Sequence, residues 1–415
     1  MKTAGIIAEY NPFHNGHAYL MEQVRTQTGA DYLIVVLSGN FTQRGIPAML
    51  DKYQRAKMAL LCGADLVLEL PCMFACSSAE QFALGGISLL SQLGVVDFLG
   101  FGCESDSLES LQRTADFLLE EPDSFRTMLQ KALRDGVSFP AARSMALTAC
   151  TGGNSTDCNP LSSPNNILAI EYLKSLQLLS SSICPVAVKR IGCGYHEREL
   201  HEACSSALAI RLALLDGKNP ENIKNQVPDP VFSILKDQYL KSLPITASDF
   251  SLQLHYKLLL EKEKGYSEYA DISKDLSAKI QKKLPHFKDF DSFCMLLKSR
   301  DMTYTRICRC MLHILLNIRK DDFLSVKKNP APYARVLGFR KKSTPLLKQI
   351  KESSRIPLLM TASDAKSFLA APSTTDSARK LLKTDLTAAR IYSQAVWHCF
   401  GSVLPDEFGS MLLKI

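Results

Sequence analysis

Through roughly the first 190 residues, short apolar runs alternate with longer stretches whose apolar positions recur at helical spacing. The runs at 4–8, 32–37, 66–70, 96–101 and 185–188 have the length and Val/Leu/Ile content of strands buried on both faces. Between them, 17–27, 52–62, 78–93, 108–133 and 167–176 carry the 3.6-residue period of amphipathic helices. This rhythm predicts an α/β fold, a doubly wound parallel sheet whose ligands sit at the carboxyl ends of its strands.

The pattern changes near 216–230, where Gly217, Pro220, Pro228 and Pro230 stand among polar residues. This places a boundary between a domain at 1–225 and a second at 226–415. Beyond it strand signals are scarce and 251–264, 277–283, 306–318 and 378–399 read as helices, so the second domain is predicted mostly helical. Charge splits at the same place. Residues 226–415 carry 31 Lys+Arg against 19 Asp+Glu, a net of +12, and residues 1–225 carry 18 against 23, a net of −5. A basic half suits a polyanion, because neutralised phosphates release counterions. Arg306 and Arg309, with Arg319 and Lys320 close by, and the Arg340-Lys341-Lys342 cluster are its candidate contacts. No apolar run is long enough to span a membrane and the N-terminus enters a strand directly, so a cytoplasmic location is expected. The 13 cysteines form no Cys-x-x-Cys pair, which points to reduced thiols and no metal centre. His196 and His201, near Glu197, Glu199 and Glu202, read as polar surface.

The most informative stretch is Ile6-Ile7-Ala8-Glu9-Tyr10-Asn11-Pro12-Phe13-His14-Asn15-Gly16-His17. A strand, a turn through Asn11-Pro12 and a helix N-terminus aim free backbone N–H groups and the helix dipole at one spot. Two imidazoles there can donate to a phosphate whose charge grows during reaction. The stretch predicts a nucleotide site with His14 and His17 as catalytic residues.

Those residues also resemble the HxGH signature of the nucleotidyltransferase superfamily, and more closely the bacterial tRNA(Met) cytidine acetate ligase family. Segments 38–48, 63–71, 163–168 and 189–192 support the closer resemblance, as, more weakly, do 304–307 and 336–339. The resemblance implies a HUP-like nucleotidyltransferase fold and an ATP-dependent ligase. Acetate and ATP would give acetyl-adenylate and pyrophosphate; the acetyl group would pass to N4 of the wobble cytidine, position 34, of elongator tRNA(Met), releasing AMP. Mg²⁺ is expected with the ATP. The resemblance carries ATP contacts onto Ile7, Ala8, Glu9, Tyr10, Asn11, Pro12, Phe13, His14, Asn15, Gly16, His17, Ala18, Tyr19 and Leu20. It adds Gly102, Asn165, Asn166, Arg190 and Ile191. Lys52 and Arg55, with Arg190, are further candidates for neutralising pyrophosphate. Related adenylyltransferases place a hydroxyl-rich motif ending in Arg at a late helix. Here its nearest match is 205–211, with Leu208 at a usual hydroxyl position and Arg211 as the remaining phosphate candidate.

Two other readings compete. An adenylyltransferase acting on a small phosphorylated metabolite would have little need of a +12 half. A non-catalytic RNA-binding protein would not require both imidazoles. The sequence leaves the acyl pocket and the oligomeric state open.

Overall fold

Strand β1 (Thr3–Ala8) lies inside the sheet, flanked by β2 (Tyr32–Ser38) and β4 (Phe98–Cys103). With β3 (Leu66–Leu70), β5 (Cys184–Lys189), β6 (Ala334–Phe339), β7 (Leu358–Leu359) and β8 (Leu413–Lys414), the order is β5-β4-β1-β2-β3-β6-β7, and β8 also pairs β6. The computed structural model describes residues 1–105, 107–151, 160–190, 205–215, 217, 220–407 and 412–415. β1 through β5 are parallel. The chain runs outward from β1 through β2 to β3, then returns to β4 on the other side of β1. That reversal opens a crevice at the carboxyl ends of β1 and β4.

Both faces of the sheet are covered, which explains the nearly continuous apolar strands. Ala4, Ile6, Val35, Leu37 and Val67 face one core with Met21 and Val24 of helix α1 (Asn15–Thr28) and Met58 and Leu60 of helix α2 (Lys52–Leu61). Ile7, Ile34, Val36, Leu66 and Leu68 face the other, alternating as successive strand residues must. There the short helix α3 (Cys72–Ala75) and helix α4 (Ala79–Gln92) pack, and the same core continues into Leu254, Ile307, Leu312 and Leu381 of the second half.

The sheet does not end at the sequence boundary near 216–230. β6 joins β3 antiparallel, Leu66 facing Phe339, so three strands come from residues where strand signals are scarce. All of β6 is buried. Its few apolar residues are too short a run to separate strand from helix by periodicity. The 108–133 stretch, read as continuous helix, divides into Leu108–Glu120 and Asp123–Arg134. Glu121 takes φ 43° and Pro122 starts the second helix.

Lys52 belongs to this sheet junction. Its Nζ lies 2.7 Å from Glu69 Oε1 and 2.8 Å from Glu407 Oε2, and Arg335 pairs with the same two carboxylates. Four charges thus neutralise one another inside the protein, where an unpaired one would be costly. Lys52 is therefore occupied away from the cleft, contrary to its expected pyrophosphate role.

Candidate active site

His14 and His17 are shaped by the start of α1. His14 is the N-cap, and its Nδ1 accepts from Gly16 N at 3.1 Å. His17 sits at N3 and its Nδ1 accepts from His14 N at 3.2 Å. The pair forms a capping box in which imidazoles replace the usual Ser/Thr and Glu/Gln. Because both Nδ1 atoms accept, each neutral ring carries its proton on Nε2. The rings lie 3.7 Å apart at 31°. The motif thus fixes the helix and leaves two aligned N–H donors.

Both rings line a cavity of about 200 Å³ at the crevice beside β1 and β4. From the resemblance-derived set, Ile7, Ala8, Glu9, Tyr10, Asn11, Gly16, Tyr19 and Leu20 join them, as do Gly102, Asn165, Arg190 and Arg211. Arg211 Nη1 donates to Asn11 O at 2.6 Å, tying the late helix Ala207–Leu215 to the first turn. A Cβ on Gly102 would lie 3.3 Å from Arg190 Cγ, so glycine lets that arginine lie close over the strand end. Ser206 caps the late helix by accepting from Ala209 N and also lines the cavity.

The two asparagines have separate tasks. Ser163, not either asparagine, caps the Pro164–Leu178 helix. Asn165 lines the cleft and donates to Glu104 Oε1; buried Asn166 accepts from Glu104 N and Ser105 N, holding the loop after β4. Phe13 packs in the core, Asn15 donates to Asn225 O, and Pro12 and Ala18 are not among the lining residues. Ile191 lies outside the described residues, as do His196 and His201. Phe101 and Lys189 line the cleft too, as their place at the ends of strands predicts. Phe82 and Tyr172 also line it, beyond the sequence prediction, because they face inward from helices without a local signal.

Burial, with Arg190 and Arg211 nearby, pushes the His14 pKa down to about 3. Burial, His14 and Arg190 hold His17 well below its usual value. Both rings are neutral donors at neutral pH. A depressed folded-state pKa means that the unfolded chain binds more protons, so this contribution is complete above about 6.5 and fades as pH falls toward 3. His14→Asn keeps a good N-cap and should remove about 1.4 kcal/mol per pH unit from the slope of stability over that window. Parallel urea titrations of both proteins from pH 4 to 8 measure the difference, and identical slopes would contradict the buried neutral ring.

Arg55 lies behind the cleft, fully buried, donating to the carbonyls of Leu50, Glu9, Ser38 and Gly39. It organises the strand ends and does not line the cavity, which corrects its expected phosphate role. The next loop does reach the site. Gln43 and Arg44 line the cleft, and Gln43 N donates to Glu9 Oε1 at 2.7 Å. Its tip, Gly45 at φ 77°, meets the Tyr304–Leu315 helix so closely that a Cβ would lie 2.3 Å from Arg309 N. Arg309 Nη1 reaches Gln43 O at 3.5 Å, so this arginine faces the loop. Gly45→Ala should displace Gln43 and Arg44, raising KM for ATP or acceptor about tenfold or more with the fold retained. Unchanged steady-state constants would show that the loop needs no such contact.

The remaining basic cluster lies elsewhere. Arg340 Nε donates to Leu60 O, and Lys342 lies 3.8 Å from Asp65, which precedes β3. These residues occupy the amino ends of the parallel strands, opposite the histidines. Among the described residues no group of three His, Cys, Asp or Glu stands together to hold a metal. No described helix is long and apolar enough to cross a membrane.

The chain is similar to known proteins over nearly its whole length. Residues 1–400 match the family model described as HIGH Nucleotidyl Transferase. The tRNA(Met) cytidine acetate ligase of Thermoanaerobacter pseudethanolicus is 40% identical over 417 residues, covering 100% of each chain. That of Clostridium kluyveri is 39% identical over 399 residues, 95% of each. The crystal structure of apo Thermotoga maritima TmcAL superposes with a TM-score of 0.92 at 30% identity over 100% of both chains. The same protein bound with alpha-thio ATP gives a TM-score of 0.89, again at 30% identity and full coverage.

Proposed function

Since the chain belongs to the HIGH nucleotidyl transferase family, and within it to the tRNA(Met) cytidine acetate ligases, which makes it an ATP-dependent ligase, we propose that it joins acetate to ATP as acetyl-adenylate and acetylates N4 of the wobble cytidine, position 34, of elongator tRNA(Met). The observation that carries the reading is the capping box: it presents two neutral Nε2–H donors beside Arg190 and Arg211 at the crevice where the strand order reverses. Acetate is an anion at neutral pH and needs no base for the first step. Its oxygen bonds to the α-phosphorus as the bond to the β-phosphate breaks, and pyrophosphate leaves with the electron pair. His14 and His17 donate to the phosphate oxygens that gain charge, and the two arginines balance pyrophosphate. In the second step N4 bonds to the acetyl carbon, AMP leaves and the amine loses a proton. The base must be turned out of its stack to enter the cavity.

The test is incubation of purified protein with ATP, Mg²⁺, labelled acetate and unmodified elongator tRNA(Met), followed by nucleoside analysis. Labelled N4-acetylcytidine at position 34 is expected. Acetyl-adenylate alone would keep the first step and discard the acceptor, and no acetate-dependent product would discard the reading.

A further inference from the structure

A second cavity, of about 380 Å³, lies where α4 meets the second half of the chain. Its walls include Ser78, Gln81, Ser273, Arg306 and Lys320. Two helix N-termini open at it. Ser78 caps α4 and Ser273 caps the Lys274–Lys283 helix, each hydroxyl oxygen accepting a backbone N–H and keeping its own proton to donate. The floor is rigid: His313 lies between Ala270 O and Cys76 O, at 2.9 and 3.1 Å from its two ring nitrogens.

The decisive group is Gln81. The residue is 6% exposed, it lines this cavity, and its Oε1 has no hydrogen-bond partner. A buried amide oxygen without a partner is a poor structural choice, and rotation of the amide by half a turn presents its NH₂ there instead, to a ligand. Two cations reinforce it. Lys320 is exposed, and Arg306 has Asp271 at 3.9 Å as its nearest carboxylate. With Asp271 counted, the walls keep a net positive charge. Hydroxyls, an amide, a guanidinium, an ammonium and two helix N-termini together match the oxygens of a phosphate.

Location supplies the identity of that phosphate. α4 begins on the rim where the parallel strands end, the rim that holds the histidines. Gln81 lines the second cavity while its neighbour Phe82 lines the first. The Tyr304–Leu315 helix spans the same interval, with Arg306 at the second cavity and Arg309 against the Gln43 loop of the first. We propose that this cavity is a phosphodiester subsite, which seats one backbone phosphate of the RNA substrate while its target base occupies the cleft. The proposal rests on the functional reading above for its ligand and on Gln81 for its place.

The experiment is equilibrium binding of unmodified elongator tRNA(Met) to the full chain across salt concentrations, with native protein, Lys320→Ala, Gln81→Glu and Gln81→Leu. Removal of one phosphate contact should reduce the slope of log K against log[salt] by about 0.7–0.9 in Lys320→Ala. Gln81→Glu, nearly isosteric, should weaken binding about tenfold or more by setting a carboxylate against the phosphate, and Gln81→Leu should weaken it less. A structural role alone would leave the salt slope unchanged. Inorganic phosphate is the second probe: tRNA affinity should fall with added phosphate in native protein beyond the effect of matched chloride, and should do so less in Gln81→Glu. Phosphate protection by Gln81-dependent binding with no effect on tRNA would assign the cavity to free phosphate and overturn the RNA subsite. An unaltered slope and affinity in the variants would overturn the subsite altogether. Formation of N4-acetylcytidine by native protein is scored separately, so failure of the functional reading appears there and failure of the subsite appears in the binding slopes.

Discussion

Replacing either His14 or His17 with alanine should lower acetate-dependent ATP–pyrophosphate exchange by about 10²–10³-fold, the usual cost of one donor aimed at developing charge. The alanine variants alone are ambiguous, because each ring also closes the capping box of α1. His14→Asn and His17→Gln resolve the ambiguity. Asparagine is a strong N-cap and glutamine at N3 restores the reciprocal bond, so both keep the helix start. Asparagine is too short to reach the position of the imidazole Nε2, and a glutamine whose Oε1 serves the cap points its NH₂ in a different direction from the ring N–H. If the rings serve the phosphates, the capping-competent variants remain nearly as inactive as the alanines while their urea midpoints return toward native. If capping is the whole role, activity returns with stability, and the catalytic assignment fails. Binding of tRNA should change little in any of the four.

The parts of this site legible in the sequence are those written in contiguous residues. The 4–8 run and the following turn show where β1 ends, and His14 and His17 stand three apart at a helix start, so the phosphate-facing pair follows from local rules. The first five strands were legible for the same reason: a sheet buried on both faces needs unbroken apolar runs, and those runs are punctuated by amphipathic helices. What the sequence hides is pairing at a distance. Lys52 and Arg55 lie in one helical turn of positive charge, and nothing nearby shows that Glu69, Glu407 and Arg335 surround the first or that four carbonyls occupy the second. β6 was hidden likewise, because its neighbour β3 lies more than 260 residues earlier. Arg309 reads as a surface cation on a basic helix until Gly45 is seen to bring the Gln43 loop against it. The basic half therefore divides by position. Arg306 lies at a cavity on the rim near the cleft, Arg309 braces a cleft loop, and Arg340 closes the far end of the sheet.

Arg55→Met should destabilise the protein by several kcal/mol, about 1–3 for each strongly desolvated acceptor left without a donor. Arg55 is 0% exposed and is among the largest fully buried side chains. Its Nε donates to Leu50 O at 2.9 Å, and Nη1 to Glu9 O at 2.6 Å and Ser38 O at 3.1 Å, with Nη2 on Gly39 O. Glu9 follows β1, Ser38 ends β2 and Gly39 follows it, so one guanidinium ties together the strand ends that carry the histidine turn and the Gln43 loop. Methionine fills similar volume without donors, and the Leu50, Ser38 and Gly39 carbonyls it strands are buried. Lysine is no remedy: a single ammonium cannot span the fork of acceptors that a planar guanidinium meets at once. Arg55→Lys should therefore recover only part of the loss in urea midpoint. Its residual folded protein should show a raised KM for ATP, because Glu9 and the first turn shift with their carbonyls. A direct pyrophosphate contact predicts a different pattern, with Arg55→Lys close to native in stability and Arg55→Met impaired only in turnover. Denaturation midpoints and steady-state constants measured on the same preparations separate the two, and an unmoved midpoint in Arg55→Met would contradict the placement of this arginine behind the cleft.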